Sequence, residues 1–212
     1  MNYFDLTNLC LQELNYTQAS AFSELVKKDH KKILNILNIV NREICSLEGW
    51  DFLLRKTSLT LPKNTSQVDN PVSGRIRYVL IDGVKYNFVE DFGLFISGKN
   101  TPNTYSLFND KLLFPKFNQD KTAEIIYYTN NCVIDVNGDE KESFEFAQDE
   151  TLIPMPFAQQ LLVYGTCLRV KANPEHVRFP YWMSMYKEAL ANLKSKSNSI
   201  YSQAPVVKLF RK

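Results

Sequence analysis

KKILNILNIVNREICSLEGWDFLLRKTSLTLP, residues 31–62, changes its periodicity once, and that change divides the chain into two kinds of structure. Ile33, Ile36, Leu37, Val40, Ile44 and Leu47 recur at steps of three and four, which places them on one stripe of a 3.6-residue helix that has to be buried. Asn35, Asn38, Arg42, Glu43 and Ser46 fall on the opposite side, facing water, and Gly49 marks a stop near Glu48. Beyond Trp50 and Phe52 the period becomes two. Leu53, Arg55, Thr57, Leu59 and Leu61 alternate with Leu54, Lys56, Ser58 and Thr60, a strand with one wetter face, closed by Pro62.

Upstream, Asp5 or Thr7 can cap a short helix through Leu6, Leu9, Leu11 and Leu14, expected to lie on the main body as a separate arm. Residues 21–28 form a second helical candidate. Lys27, Lys28, His30, Lys31 and Lys32 then crowd the start of the long helix, as a solvated entry or as an anion-binding patch. Downstream, residues 53–129 read as β-rich. Residues 75–81 and 84–89 flank Asp82-Gly83, and residues 104–108 and 111–114 flank Asn109-Asp110. Both pairs tolerate the positive φ of a two-residue hairpin. Residues 122–128 supply another β-branched and aromatic strand, giving at least six.

Helical spacing returns after Pro154 and Pro156, first through Ala158, Leu161, Leu162, Gly165, Leu168 and Val170. A second helix follows, with Tyr181, Trp182, Met185, Tyr186, Ala189, Leu190 and Leu193 on its buried side. The fold class predicted is α+β: a helical bundle built from the long helix and the closing pair, with an inserted antiparallel β domain. The boundaries are 1–52 with 153–196 for the bundle, 53–152 for the insert including an acidic loop at 135–150, and 197–212 for an extended tail. Ile33, Leu37, Val40, Ile44, Trp50, Phe52, Leu161, Trp182 and Tyr186 are the core signature. The tail ends Val206-Val207-Lys208-Leu209-Phe210-Arg211-Lys212, either frayed or docked on another surface as an added strand.

The 212 residues carry a formal net charge of +2, which gives no overall pull toward nucleic acid. Asp5 and Glu13 interrupt any leader-like apolar core, and no run approaches a membrane span. Cys10, Cys45, Cys132 and Cys167 are scattered without a Cys-x-x-Cys pair, so buried free thiols are expected rather than zinc.

Five motifs bear on chemistry. Gly93 to Lys99 has the spacing of a phosphate-binding loop, but Asn100 replaces the hydroxyl residue and Thr101-Pro102-Asn103 leads to a strand instead of a helix. Asp135, Asn137 and Asp139 imitate a calcium loop, yet Glu140 and Phe146 occupy the positions of its glycine and its bidentate glutamate. The seven carboxylates from Asp135 to Glu150 face one lysine, Lys141, a density expected to stay solvated. His30 and His176 pair with no nucleophile motif. Arg75 and Arg77 beside Tyr78 could track a nucleic-acid backbone or simply protect a strand edge.

Lys32-Ile33-Leu34-Asn35, Asn41-Arg42-Glu43-Ile44 and Gly49-Trp50-Asp51-Phe52, followed by the strand to Pro62, resemble the head-to-tail adaptor family of short-tailed phages, also called tail tubular protein A. Pro102-Asn103-Thr104-Tyr105, Lys111-Leu112-Leu113-Phe114-Pro115 and Ala123-Glu124-Ile125-Ile126-Tyr127-Tyr128 are similar to the family's consecutive strand signatures, and Ile153-Pro154 with two closing helices completes the order. The Asn- and Lys-rich composition also resembles ring proteins of crAss-like phages. The resemblance covers about residues 31–195. It implies a structural, non-enzymatic virion protein without cofactor or metal: a ring of 12 copies that docks below a portal protein, forms part of a conduit for double-stranded DNA, and supports the next tail component. The acidic loop and the tail have no counterpart in the family; carboxylate density makes Asp139, Glu140, Glu142 and Glu145 candidates for the lumen or its rim, and the apolar, basic tail makes Val206, Val207, Lys208, Leu209, Phe210 and Arg211 candidates for contact with a neighbouring chain. The competing readings are a nucleic-acid-binding accessory domain and, behind it, an NTPase or hydrolase.

Overall fold

The computed structural model describes residues 1–97 and 102–199. It is an α+β protein with five α-helices and ten strands among the described residues. The helices are α1 (Tyr3–Glu13), α2 (Lys28–Leu47), the single-turn α3 (Gly93–Ile96), α4 (Phe157–Val170) and α5 (Phe179–Ser199). The strands are β1 (Leu54–Leu61), β2 (Gln67–Asp69), β3 (Gly74–Ile81), β4 (Val84–Phe88), β5 (Thr104–Phe108), β6 (Lys111–Leu113), β7 (Lys121–Thr129), β8 (Val133–Ile134), β9 (Glu140–Lys141) and β10 (Glu150–Thr151). The chain divides into two compact units, 1–52 with 131–212 and 53–130.

In the helical unit, Ile33, Leu37, Val40 and Ile44 of α2 are buried with Leu161 and Leu162 of α4 and Trp182, Ala189 and Leu193 of α5. Each such aliphatic side chain contributes roughly 1.5–3 kcal/mol of transfer free energy. Gly165 lets α4 approach closely: a Cβ there would stand 2.9 Å from Val40 Cγ1 and 3.0 Å from Tyr186 Cε2. Trp50 explains how α2 ends. Its indole Nε1–H donates to the carbonyl of Ile44 at 2.6 Å, satisfying an acceptor that the terminating helix leaves open.

Several sequence expectations need correction in this unit. Helix α1 is no separate arm: Asn2, not Asp5 or Thr7, caps it by accepting from the Asp5 N–H, and Leu6, Cys10 and Leu11 are fully buried. Residues 22–24 form only a 3₁₀ turn. On α2, Leu47 is exposed and Ile36 half-buried, while Asn41 and Cys45 take inward positions, because the stripe drifts round the helix by its final turns. Phe52 and Tyr186 are only partly buried; Phe52 stacks on Trp50 at 5.9 Å, and Tyr181 is half exposed at 50%. Helix α5 runs to Ser199, three residues into the stretch assigned to the tail.

The second unit is a seven-stranded sheet in the order β1-β7-β3-β4-β5-β6-β2. Leu61, Val79, Ile81, Leu112, Phe114 and Ile125 form its core. Both hairpins form: Asp82 and Gly83 have φ of 50° and 78°, and Asn109 and Asp110 have 47° and 58°, the left-handed values that a two-residue turn demands. The sheet is not wholly antiparallel. β4 and β5 pair in parallel through Asn87↔Thr104 and Phe88↔Tyr105, because a crossover of residues 89–103 containing α3 joins them instead of a tight turn.

Candidate functional site

The larger correction concerns residues 131–152, which were expected in the β insert but belong to the helical unit. They form a small sheet, β10-β8-β9, within a segment tied to α2 by the side-chain amides of Asn38 and Asn41 and to α1 by backbone hydrogen bonds. Asn38 acts like a strand partner: its Nδ2 donates to the Phe144 carbonyl at 3.1 Å and its Oδ1 accepts the Phe144 N–H at 2.8 Å. Asn41, fully buried, donates to the Cys132 carbonyl at 3.2 Å and accepts from the Thr151 hydroxyl at 2.7 Å. The Tyr3 and Phe4 N–H groups reach the carbonyls of Asp149 and Ala147, and Phe144 stacks on the Tyr3 ring at 4.6 Å.

The carboxylates here are only partly solvated, contrary to expectation. Asp149 is 1% exposed and its Oδ2 accepts the backbone N–H groups of Glu145 and Phe146. Lys141 is the hub, with Nζ 3.4 Å from Asp135, 3.6 Å from Glu145 and 3.9 Å from Asp149. Desolvation works against its charge, but the hydrogen bond to Asp135 and the charges of Asp149, Asp135 and Glu145 outweigh it, so its pKa is raised. The Asp139 N–H, helped by the Asn137 N–H and Lys141 against some desolvation, holds Asp135 below the ordinary carboxylate range. These bonds make residues 135–139 a turn closed by the Asp135 side chain, with Gly138 at φ 89°. No group of three or more His, Cys, Asp or Glu residues among the described residues is arranged to hold a metal ion.

A pocket of about 530 Å³ opens beside this hub, walled by Phe22, Val136 and Phe146 and floored by Asp135, Lys141 and Asp149. Phe146 is 64% exposed and Val136 74%. The Lys141 ammonium lies 4.9 Å from the Phe146 ring centroid. Of the four acidic candidates, Glu145 joins the hub, Glu140 sits on β9, and Asp139 and Glu142 are exposed. Sequence reasoning missed Asn38, Asn41 and Asp149. Asn41 carried a signal, since it lies four residues before Cys45 and one turn after Leu37, beside the apolar stripe.

The other motifs disperse. Gly93 opens the single turn α3, whereas Gly98, Lys99 and Asn100 lie outside the described residues. His30 is buried, and its Nδ1 finds no hydrogen-bond partner among the described residues. His176 stacks on Trp182 at 5.1 Å and its Nδ1 accepts the Arg178 N–H. Arg75 and Arg77 both lie over the Tyr128 ring, at 5.1 and 5.8 Å, with a bulge at Arg77 interrupting simple alternation. The four cysteines are buried and carry reduced thiols. Burial, then Cys167, pushes the Cys10 thiol up, while the hydrogen bond between Cys45 and Cys132 raises Cys45 and lowers Cys132. Residues 206–211 lie outside the described residues. No described helix is long and apolar enough to cross a membrane. No protein-family model matches the chain, and no curated protein matches it.

Proposed function

We propose that the chain is a structural subunit of a phage head-to-tail connector ring, acting by assembly and not by catalysis. The observation that carries this reading is the order of parts. A helical unit interrupted in sequence by a strand-rich unit, 1–52 and 131–212 around 53–130, is the arrangement that the resemblance implies. Exposed apolar side chains on each unit fit a subunit with several neighbours: Phe88, Phe92, Leu107 and Phe108 on the sheet unit, Val136 and Phe146 on the helical unit. Phe92 and Phe108 stack at 4.3 Å, so part of that surface is already ordered in the single chain. In this proposal portal protein and the next tail component are the partners, and double-stranded DNA passes through without sequence-specific contact.

Electron microscopy of the protein mixed with its portal tests the proposal. A ring of twelve 24.6 kDa chains, about 295 kDa, on the portal is the expected result. A chain that leaves the portal bare at saturating concentration refutes it. The Arg75, Arg77 and Tyr128 cluster supports a second reading, nucleic-acid binding, because guanidinium groups held on an aromatic ring form a cationic face. Binding of free DNA that weakens steeply with salt would favour that reading.

A further inference from the structure

The pocket beside Lys141 and residues 206–212 complement each other. The pocket has apolar walls, Phe22, Val136 and Phe146, that no other residue of the described chain covers to the extent of burying Phe146 or Val136. The segment has four apolar side chains, Val206, Val207, Leu209 and Phe210, beside three cations, Lys208, Arg211 and Lys212. Of the seven carboxylates of residues 135–150, Asp135 and Asp149 line the pocket, Glu145 meets Lys141 beside it and Glu150 pairs with the Met1 amine, while among the described residues Asp139 and Glu142 enter no ion pair. The other apolar groove of the helical unit, lined by Leu168, Pro174, Phe179, Met183 and Tyr186, has Arg169 in its wall already paired with Glu43, and Lys171 and Lys32 near its end, charges of the same sign as the segment. Charge therefore selects the first pocket.

We propose that the Phe22–Val136–Phe146 pocket is the receptor for residues 206–212 of a neighbouring copy of this chain. Leu209 and Phe210 are the apolar anchors, and Lys208 and Arg211 face Glu145 and the other carboxylates at the rim. The proposed ring places a neighbouring donor within reach of the pocket. Lys194 pairs with Glu48, so α5 ends by the C-terminal end of α2, whereas Phe22 packs on Tyr3, whose hydroxyl bonds the Leu34 carbonyl. Leu34 to Glu48 is about 21 Å along a helix at 1.5 Å per residue. From Ser199 to Leu209 ten residues, fully extended, span about 33 Å, enough to cross that separation and to reach a neighbouring copy in the proposed ring. The inference rests on the proposed ring only for the identity of the donor, a second copy; it moves Glu145 from the lumen to an interface.

The test uses the full-length chain carrying Leu209→Asp and Phe210→Asp, which disables its own segment, and a fluorescein-labelled peptide of residues 200–212. Saturable binding by anisotropy, weakened by added salt, is expected. Adding Phe146→Ala and Val136→Ala, both at exposed positions, lowers the affinity by roughly tenfold or more. Met183→Ala in the other groove leaves it unchanged. Glu145→Lys weakens the native peptide and favours one carrying Lys208→Glu and Arg211→Glu. Absence of saturable binding, or binding indifferent to Phe146→Ala, overturns the proposal. In the unsubstituted chain, self-association that rises with concentration and is lost on Phe146→Ala identifies the donor as a second copy; a concentration-independent monomer overturns that assignment. None of these readouts needs a portal, so their failure is distinct from failure of the ring.

Discussion

Replacing Asn41 by leucine removes one of the two side-chain amides, with Asn38, that join α2 to residues 131–152. Two bonds disappear, Nδ2 to the Cys132 carbonyl and the Thr151 hydroxyl to Oδ1. Their losses are unequal. The Cys132 carbonyl keeps the Leu152 N–H at 2.9 Å, so it forfeits a second bond worth about 1 kcal/mol. The Thr151 hydroxyl still accepts the Ile153 N–H at 3.1 Å but loses the acceptor for its own hydrogen, a stranded donor costing about 1–3 kcal/mol. Leucine recovers some apolar burial in a position of similar shape, leaving a net loss of about 2–3 kcal/mol against a total stability of order 5–15 kcal/mol. Urea denaturation measures the total, and amide exchange shows where it falls, with protection lost first from Cys132 to Ile153. Thr151→Val in the Asn41→Leu background removes the stranded hydroxyl but also the acceptor of the Ile153 N–H, and should cost about 1 kcal/mol more. Ser46→Ala, on the exposed face of the same helix, should stay within about 0.5 kcal/mol. An Asn41→Leu protein as stable as the parent, with unchanged exchange at these amides, would refute the assignment of residues 131–152 to the helical core.

Other perturbations address separate parts. Gly165→Ala should destabilise by about 1–3 kcal/mol despite alanine's better helix propensity, because the new Cβ meets Val40 and Tyr186; chemical denaturation checks it. Trp50→Phe keeps most of the buried ring area but strands the Ile44 carbonyl, with an expected loss of about 1–3 kcal/mol and faster exchange at the end of α2. Gly83→Ala, at φ 78° in the β3–β4 turn, should cost about 1 kcal/mol and appear mainly in the sheet unit. For pH, Asp135 has a folded pKa below its ordinary value, so its contribution is complete above about pH 4 and disappears as pH falls through the depressed value. Lys141 has a raised pKa, so its contribution holds below about pH 10 and is lost only in stronger alkali. Proteolysis within residues 135–150 should thus accelerate in acid, and Asp135→Asn should remove that acid dependence.

The sequence was most legible where a local rule and the global fold ask for the same residue. The switch at Gly49-Trp50 is visible because helical and strand periods are incompatible, and the two hairpins because positive φ at both turn positions restricts their composition. Edges of elements were less legible. Residues 197–199 read as tail by their polar composition, yet α5 continues through them, since a helix already nucleated by Trp182, Ala189 and Leu193 adds residues at little cost. The parallel pairing of β4 with β5 was hidden because it involves only two residues on each strand.

Residues 131–152 escaped for a different reason, and it bears on the candidate site. Charge density suggests solvation, but the cost of burying a carboxylate depends on its partners and not on how many others stand nearby in sequence. Asp149 is buried because two backbone N–H groups point at one of its oxygens and Lys141 approaches the other, and neither partner can be read from spacing alone. Once Asp149 and Asp135 are drawn inward by Lys141, the backbone between and beyond them turns outward at Val136 and Phe146, which leaves those apolar side chains exposed beside the ions. The same polar network that docks this segment on α1 and α2 thus creates the surface on which a basic, apolar partner would rest. Cutting the network at Asp149 should therefore reduce peptide capture even though Asp149 itself is almost inaccessible. Asp149→Asn retains the acceptor for the Glu145 and Phe146 N–H groups while removing the charge, so it should preserve the fold and weaken capture less than Asp149→Ala. Equal capture by both variants and the parent would separate the pocket from the network that is argued to build it.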